Sequence, residues 1–305
     1  MENSKGISLV LLTALISGFS IFLNAFAVKG LEPVLFTALK NSLVAVMLFS
    51  LLVLLKSKDL HKILDKRVFG FLLLIGLIGG SIPFALFFIA LQQTGAALAG
   101  FIHKTLFVFA TIFALVFLKE KIDWKFVAGA FLLLAGNLFL FSAPLVFSFS
   151  AIMVLAATIL WGLENVIAKR VMQKFELEGS TVAFGRMFFG ALFLFAFLSF
   201  NGQIFLAGTL SIEQIGWIVL TSVLLFGYVF TYYNGLKLLP VHKASSILLL
   251  AQPITAILSF VFLGTKIGLL DGFGLLLVSL GVFSITGFSF VSRFLKFRGV
   301  MVARK

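Results

Sequence analysis

Apolar residues in this chain come in ten long blocks, over 7–28, 34–55, 69–91, 97–118, 126–142, 150–168, 180–200, 214–236, 244–263 and 269–290. Polar and charged residues gather in the short stretches between them. A helix crossing the hydrocarbon core of a bilayer needs about 20 predominantly apolar residues, so each block predicts a spanning helix. The pattern predicts an all-α integral membrane protein with ten transmembrane helices. Ten is even, which places both termini on one side.

Composition agrees: 61% of the residues are hydrophobic and 11% charged, against about 25% charged in soluble domains. Lys and Arg set the orientation, because short cytoplasmic loops retain them during insertion. Nineteen of the twenty-four lie in segments on the amino-terminal side, Lys29 and Lys266 lie in loops on the other, and Lys40, Lys104 and Arg186 lie inside apolar blocks. Both termini are therefore expected in the cytoplasm, and the protein in the plasma membrane. The net charge of +13 is scattered over short segments with no soluble domain to present it. That argues against nucleic acid and for anionic lipid headgroups as partners. Without Cys there are no disulfides, thiolate metal sites or Cys nucleophiles. Lys5, the first block and Ala25-Phe26-Ala27 imitate a cleavable signal peptide, but the block exceeds the roughly 7–15 residues of a signal core. It is read as the first spanning helix.

Sliding the chain by 145 positions lays Leu91–Gly136 over Leu236–Gly281 with twelve identities in forty-six positions, where biased composition alone gives about four or five. Val116-Phe117-Leu118 falls on Val261-Phe262-Leu263, Lys121-Ile122 on Lys266-Ile267, and Gly129 and Gly136 on Gly274 and Gly281. With small shifts Gly18 matches Gly162 and Lys40 matches Arg186. Two five-helix repeats follow, residues 1–145 and 146–305. Five is odd, so the second copy crosses the membrane in the opposite sense. Inverted-topology repeats of this kind place substrate near the midplane and operate by alternating access.

Trp161-Gly162, a basic residue early in the second and seventh helices, Gly235-Leu236-Lys237 closing the eighth, and Gln252-Pro253 before an apolar run ending at Gly264 carry a resemblance. In that order, the chain resembles the drug/metabolite transporter superfamily, EamA type, almost end to end. The resemblance implies that helices one to four and six to nine surround a central cavity, with five and ten peripheral. The chain departs from the pattern at Gln252, where an acidic residue often stands, at Phe107-Val108, and at Leu263-Gly264-Thr265, which lacks a counterpart of Glu120.

A charge inside hydrocarbon costs roughly 2.5–3.5 kcal/mol on insertion scales, so Lys40, Lys104 and Arg186 are the leading candidates for substrate contact. Lys40 lies about 10 Å from the outer start of its helix and Arg186 about as far from the inner face, at about 1.5 Å per residue. Gly100, Lys104, Phe107 and Thr111 share one helical stripe, and His103 is turned about 100° away, suiting a helix contact or secondary lining. Glu164 can pair with Arg186 or read a substrate amine. Asn24, Gln252, Trp161, Tyr228 and Tyr232 are larger groups with orienting donors on expected cavity helices. The Ser and Thr of these stripes are better read as interhelical hydrogen bonds. Pro83 and Pro253 interrupt the third and ninth helices, as gates or fixed kinks.

The expected function is secondary transport of small metabolites, carboxylate- or phosphate-bearing given the cationic lining, with amino acids or other zwitterionic or neutral metabolites as the alternative. An intramembrane enzyme lacks paired acids or an HExxH motif, a scaffold lacks a soluble domain, and no Walker loop or other cofactor motif is present. The expected partners are one small molecule and the bilayer, with the protein a monomer or weak homodimer.

Overall fold

The computed structural model describes residues 2–27, 30–94, 96–141 and 148–287. Lys29, Gly95, the junction between the expected repeats and the basic tail from residue 288 lie outside them. The described residues are helical and without strands. They form α1 (Glu2–Ala27), α2 (Pro33–Leu54), α3 (Lys66–Ile75, continuing through Gly76–Ser81 into Ile82–Thr94) and α4 (Ala96–Lys104 and Leu106–Phe117). Then come α5 (Trp124–Phe139), α6 (Phe149–Lys174), α7 (Gly179–Phe200), α8 (Ile212–Leu238), α9 (Val241–Ile247, then Leu248–Leu250 and Ala251–Leu263) and α10 (Leu269–Thr286). Among the described residues nine spans are long and apolar enough to cross a membrane, and α5, with 16 residues, is a shorter apolar helix.

Several boundaries differ from the hydropathy blocks. Lys66, Arg67, Lys125, Lys169, Arg170, Lys174, Lys237 and Lys243 fall just outside the apolar blocks, yet all lie within helices. Long Lys and Arg stems let helices run past the apolar block while the charge reaches a polar partner. Lys169 is buried, 6% exposed, as Lys40 and Arg186 are. The fourth block is broken at Thr105, whose hydroxyl turns back to the Ile102 carbonyl at 2.6 Å. In α3 the turn over Gly76–Ser81 is widened into a π segment, braced by the Ser81 hydroxyl on the Gly76 and Leu77 carbonyls.

The helices pack mainly across the two halves: α1 on α8 and α9, α2 on α7 and α8, α3 on α6 and α7, α4 on α6, and α5 on α10. Exchanging the halves maps each of these partnerships onto another or onto itself. Glycines allow the closest approaches. A Cβ on Gly129 would lie 2.8 Å from the Gly281 carbonyl oxygen, and one on Gly136 2.8 Å from that of Gly274. The order of those contacts makes α5 and α10 antiparallel where they touch.

The turns repeat as well. Left-handed backbone occurs at Gly30, Gly202 and Gly264 on one face and at Glu176, Lys56 and Lys119 on the other. These residues stand 146, 146 and 145 positions apart, in the same pairing. Glycine adopts this conformation without strain, whereas other residues resist it by about 1–2 kcal/mol.

Candidate functional site

Pro83 has no N–H to offer the carbonyl four residues back, that of Gly79, and the π segment loosens the helix there. That carbonyl is taken by side chains instead. Trp161 Nε1 on α6 donates to it at 2.9 Å and Arg186 Nη2 on α7 at 3.0 Å. Gly79 has no room for a side chain, since an added Cβ would collide with Glu164 Cγ and lie 3.1 Å from Arg186 Nε. The next carbonyl, Gly80, accepts from Asn41 Nδ2 of α2 at 3.1 Å.

Around this buried turn, whose carbonyls are taken by side chains, several of the sequence candidates converge. The Tyr233 hydroxyl of α8 donates to Glu164 Oε1 at 2.6 Å. Tyr233 meets Tyr232 edge to face, and Tyr228 stacks on Tyr232 with centroids 5.9 Å apart. His103 of α4 lies edge-on to Trp161 with ring centroids 4.8 Å apart, a contact between α4 and α6. Arg186 also sits over the Phe84 ring at 5.7 Å. Glu164 and Arg186 do not close an ion pair: each lies within electrostatic reach of the other, but the carboxylate takes the tyrosine and the guanidinium takes the carbonyl. Glu164 and Arg186 are both buried, as are Trp161 and Tyr232.

Arg186 Nε, the Tyr232 hydroxyl, His103 Nδ1 and Asn41 Oδ1 are buried without a hydrogen-bond partner. Buried polar groups without a partner are uncommon, because each costs about 1–3 kcal/mol. Their concentration around one loosened turn distinguishes this region from ordinary helix packing.

Other candidates stand apart from that cluster. Lys40 Nζ donates to Asn24 Oδ1 at 3.1 Å and lies 4.6 Å from the centre of the Phe36 ring. Lys104 is half-buried. Gly100, one turn before it, has nothing within 4 Å of where a side chain would begin, whereas Phe107 and Thr111 further along the same stripe are buried. Gln252 faces α5, its Nε2 lying 3.5 Å from Asn137 Oδ1, and its own oxygen is unpartnered. Pro253 follows the tightened turn over Leu248–Leu250, as Pro83 follows the widened one. Thr13 and Thr231 bond across α1 and α8 at 2.8 Å, the interhelical role expected of small hydroxyls. A separate cavity of about 400 Å³ opens where α2 begins and α7 ends, between Glu32, Pro33, Phe88, Phe197, Asn201 and Gln203. None of the sequence candidates lines it.

Sequence reasoning missed Tyr233, Asn41 and the Gly79 carbonyl. Tyr233 is one residue off the stripe shared by Tyr228 and Tyr232, and Asn41 is one residue off Lys40. The only mark of the carbonyl is Pro83 four residues later.

Tandem helical halves, lipid-length apolar spans and a buried polar cluster between them define a polytopic membrane protein of duplicated architecture. The model of the EamA-like transporter family matches residues 4–142 and again 148–287, and the chain belongs to that family. Twenty-nine chains of solved structures match it. One is a crystal structure of a protein with a TM-score of 0.73 and 19% identity, covering 92% of this chain and 98% of that one, a likeness of fold. No curated protein matches.

Proposed function

We propose that this membrane transporter moves small anionic metabolites by alternating access between two inverted five-helix repeats, with both termini in the cytoplasm. Membership of the family supports transport. The exchange symmetry of the helix partnerships supports inverted repeats, and the bias of Lys and Arg supports the orientation. The observation that carries the substrate class is Arg186 Nε and the Tyr232 hydroxyl, buried unpartnered donors beside one another's helices. A carboxylate or phosphate oxygen satisfies both. Lys104, one turn from the open position at Gly100, and Lys40 extend the positive lining.

Purified protein in proteoliposomes tests this with a panel of radiolabelled carboxylates and phosphate monoesters. Arg186→Gln and Lys104→Gln are each expected to abolish uptake, since truncating one partner of a buried charged contact costs about 2–5 kcal/mol. Wild-type uptake by both variants overturns the cationic site. A second reading, a zwitterionic substrate whose amine meets Glu164, is favoured by the carboxylate beside Arg186. Glu164→Gln that spares anions and stops amino acids selects it.

A further inference from the structure

The two faces of the molecule are built on the same turns but closed by different chemistry. On the face carrying the amino-terminus, two carboxylates from first-half connections cap helices of the second half. Asp59 Oδ2 accepts from the Glu178 N–H at 2.6 Å and the Thr181 hydroxyl at 2.8 Å, holding the start of α7. Glu120 accepts from the Val241 N–H at 2.7 Å, the His242 N–H at 3.3 Å and His242 Nδ1 at 2.6 Å, holding the start of α9. Each leaves a turn whose left-handed residue, Lys56 or Lys119, is not glycine. Lys62 adds bonds to the Phe175 and Glu176 carbonyls. Lys169 donates to the Leu236, Lys237 and Leu239 carbonyls, closing the end of α8 beside the same clasp.

Carried through the repeat, Asp59 corresponds to Phe205 and Glu120 to Thr265. Both counterparts are exposed, and among the described residues neither holds a helix of the other half. The start of α2 is capped by its own Glu32 instead. Toward the opposite side, the cross-half hydrogen bonds among the described residues are that from Gln214 Nε2 to the exposed Gly30 carbonyl and, deeper, those from the Thr255 hydroxyl to the Gly18 carbonyl and from Gln252 Nε2 to Asn137 Oδ1. The 400 Å³ cavity opens on that face.

We propose that Asp59 and Glu120 are the bolts of the amino-terminal, cytoplasmic gate, and that their lack of counterparts makes the resting protein close inward and open outward. The inference rests on the alternating-access reading. Rigid caps donated in trans must release before α7 and α9 can part from the first half. Among the described residues the opposite face shows no carboxylate cap donated in trans, so the two end states, equal by fold symmetry, are made unequal at the amino-terminal face. Burial works to raise the Glu120 carboxyl, but hydrogen bonds from the His242 ring and the Val241 and His242 N–H groups outweigh it and hold its pKa below the usual 4.5. That direction fits a carboxylate serving as an acceptor.

The chain contains no Cys, so spin labels can be placed without background. Lys121→Cys with Lys237→Cys spans the amino-terminal face, and Gln93→Cys with Lys266→Cys spans the other. In nanodiscs without added solute, electron–electron distance measurements should give one short separation on the first face. Asp59→Ala and Glu120→Ala should each raise the long-separation population roughly tenfold, the effect of losing one helix cap, with the opposite face shortening in step. Thr265→Glu, which supplies the missing bolt and removes nothing, should shift both pairs the other way. Unchanged distances in the Ala variants and in Thr265→Glu, while proteoliposomes still take up radiolabelled succinate, phosphoglycerate or glutamate, overturn the bolt. A single rigid separation at both faces in every variant, with no flux of those probes, overturns alternating access itself.

Discussion

Tyr233 and Glu164 offer the sharpest quantitative test of the buried cluster. Their 2.6 Å bond joins α8 to α6 with the tyrosine 1% and the glutamate 2% exposed, so solvent cannot replace either partner. Neutral interhelical hydrogen bonds in membranes contribute about 0.6 kcal/mol on average, whereas bonds to a charged group contribute about 1.5–3 kcal/mol. Where the neighbouring Arg186 guanidinium keeps the carboxylate charged, the larger value applies; a carboxyl neutralised by burial gives the smaller. A double-mutant cycle of Tyr233→Phe, Glu164→Gln and the double variant, read by reversible unfolding in mixed micelles, should give a coupling of about 1.5–3 kcal/mol. Tyr233→Phe alone should cost at least that much, because it leaves the carboxylate without its donor while preserving ring packing. A coupling at or below about 0.6 kcal/mol refutes a charge-centred network and reduces the pair to ordinary helix packing.

Gly136→Ala should lose about 1–3 kcal/mol of stability from overpacking, because its Cβ would press on the Gly274 carbonyl and the Val278 nitrogen, 2.8 and 2.9 Å away. Gly70→Ala, with nothing within 4 Å, should be neutral or slightly stabilising, and thermal unfolding of the two side by side checks the seam. Lys40→Met keeps the length of the side chain and removes a buried charge held by Asn24; it should gain about 1–2 kcal/mol in the same assay while uptake falls. Glu120 faces His242 of α9 and, within electrostatic reach, Lys169 of α6. Its pKa is depressed in the bolted state, so the bolt is fully present above the usual 4.5 and is lost as pH falls through the lower value. Spin-label separations across the amino-terminal face should lengthen on acidification below about pH 4.5, and Glu120→Ala should show no such transition.

The spans were legible because hydrocarbon demands apolar length, and the blocks at 34–55 and 180–200 match α2 and α7 closely. The repeat was legible at glycines, where Gly129 and Gly136 mark the same seam as Gly274 and Gly281. What the chain hid is tertiary. Asp59 and Glu120 look like loop acids until the helix starts they cap are brought alongside. Lys169 looks like a loop base because a helix can carry it to the carbonyls ending another. Glu164 and Arg186 were placed together by depth, yet their partners, a tyrosine one residue off the chosen stripe and a backbone carbonyl, leave no periodic signature. Hydropathy also smooths over turns, so neither the break at Thr105 nor the widened turn before Pro83 could be read from it.

The acceptor at Gly79 belongs to the main chain, so it is encoded at a distance by Pro83 rather than by the residue that bears it. If the proposed anion site is right, exchanges of Trp161 or Arg186 should retune which solute is welcomed while that anchor persists. Relatives that diverge in cargo can therefore keep one inherited socket, and a genetic screen for altered selectivity should return hits among its donors far more often than at the socket itself.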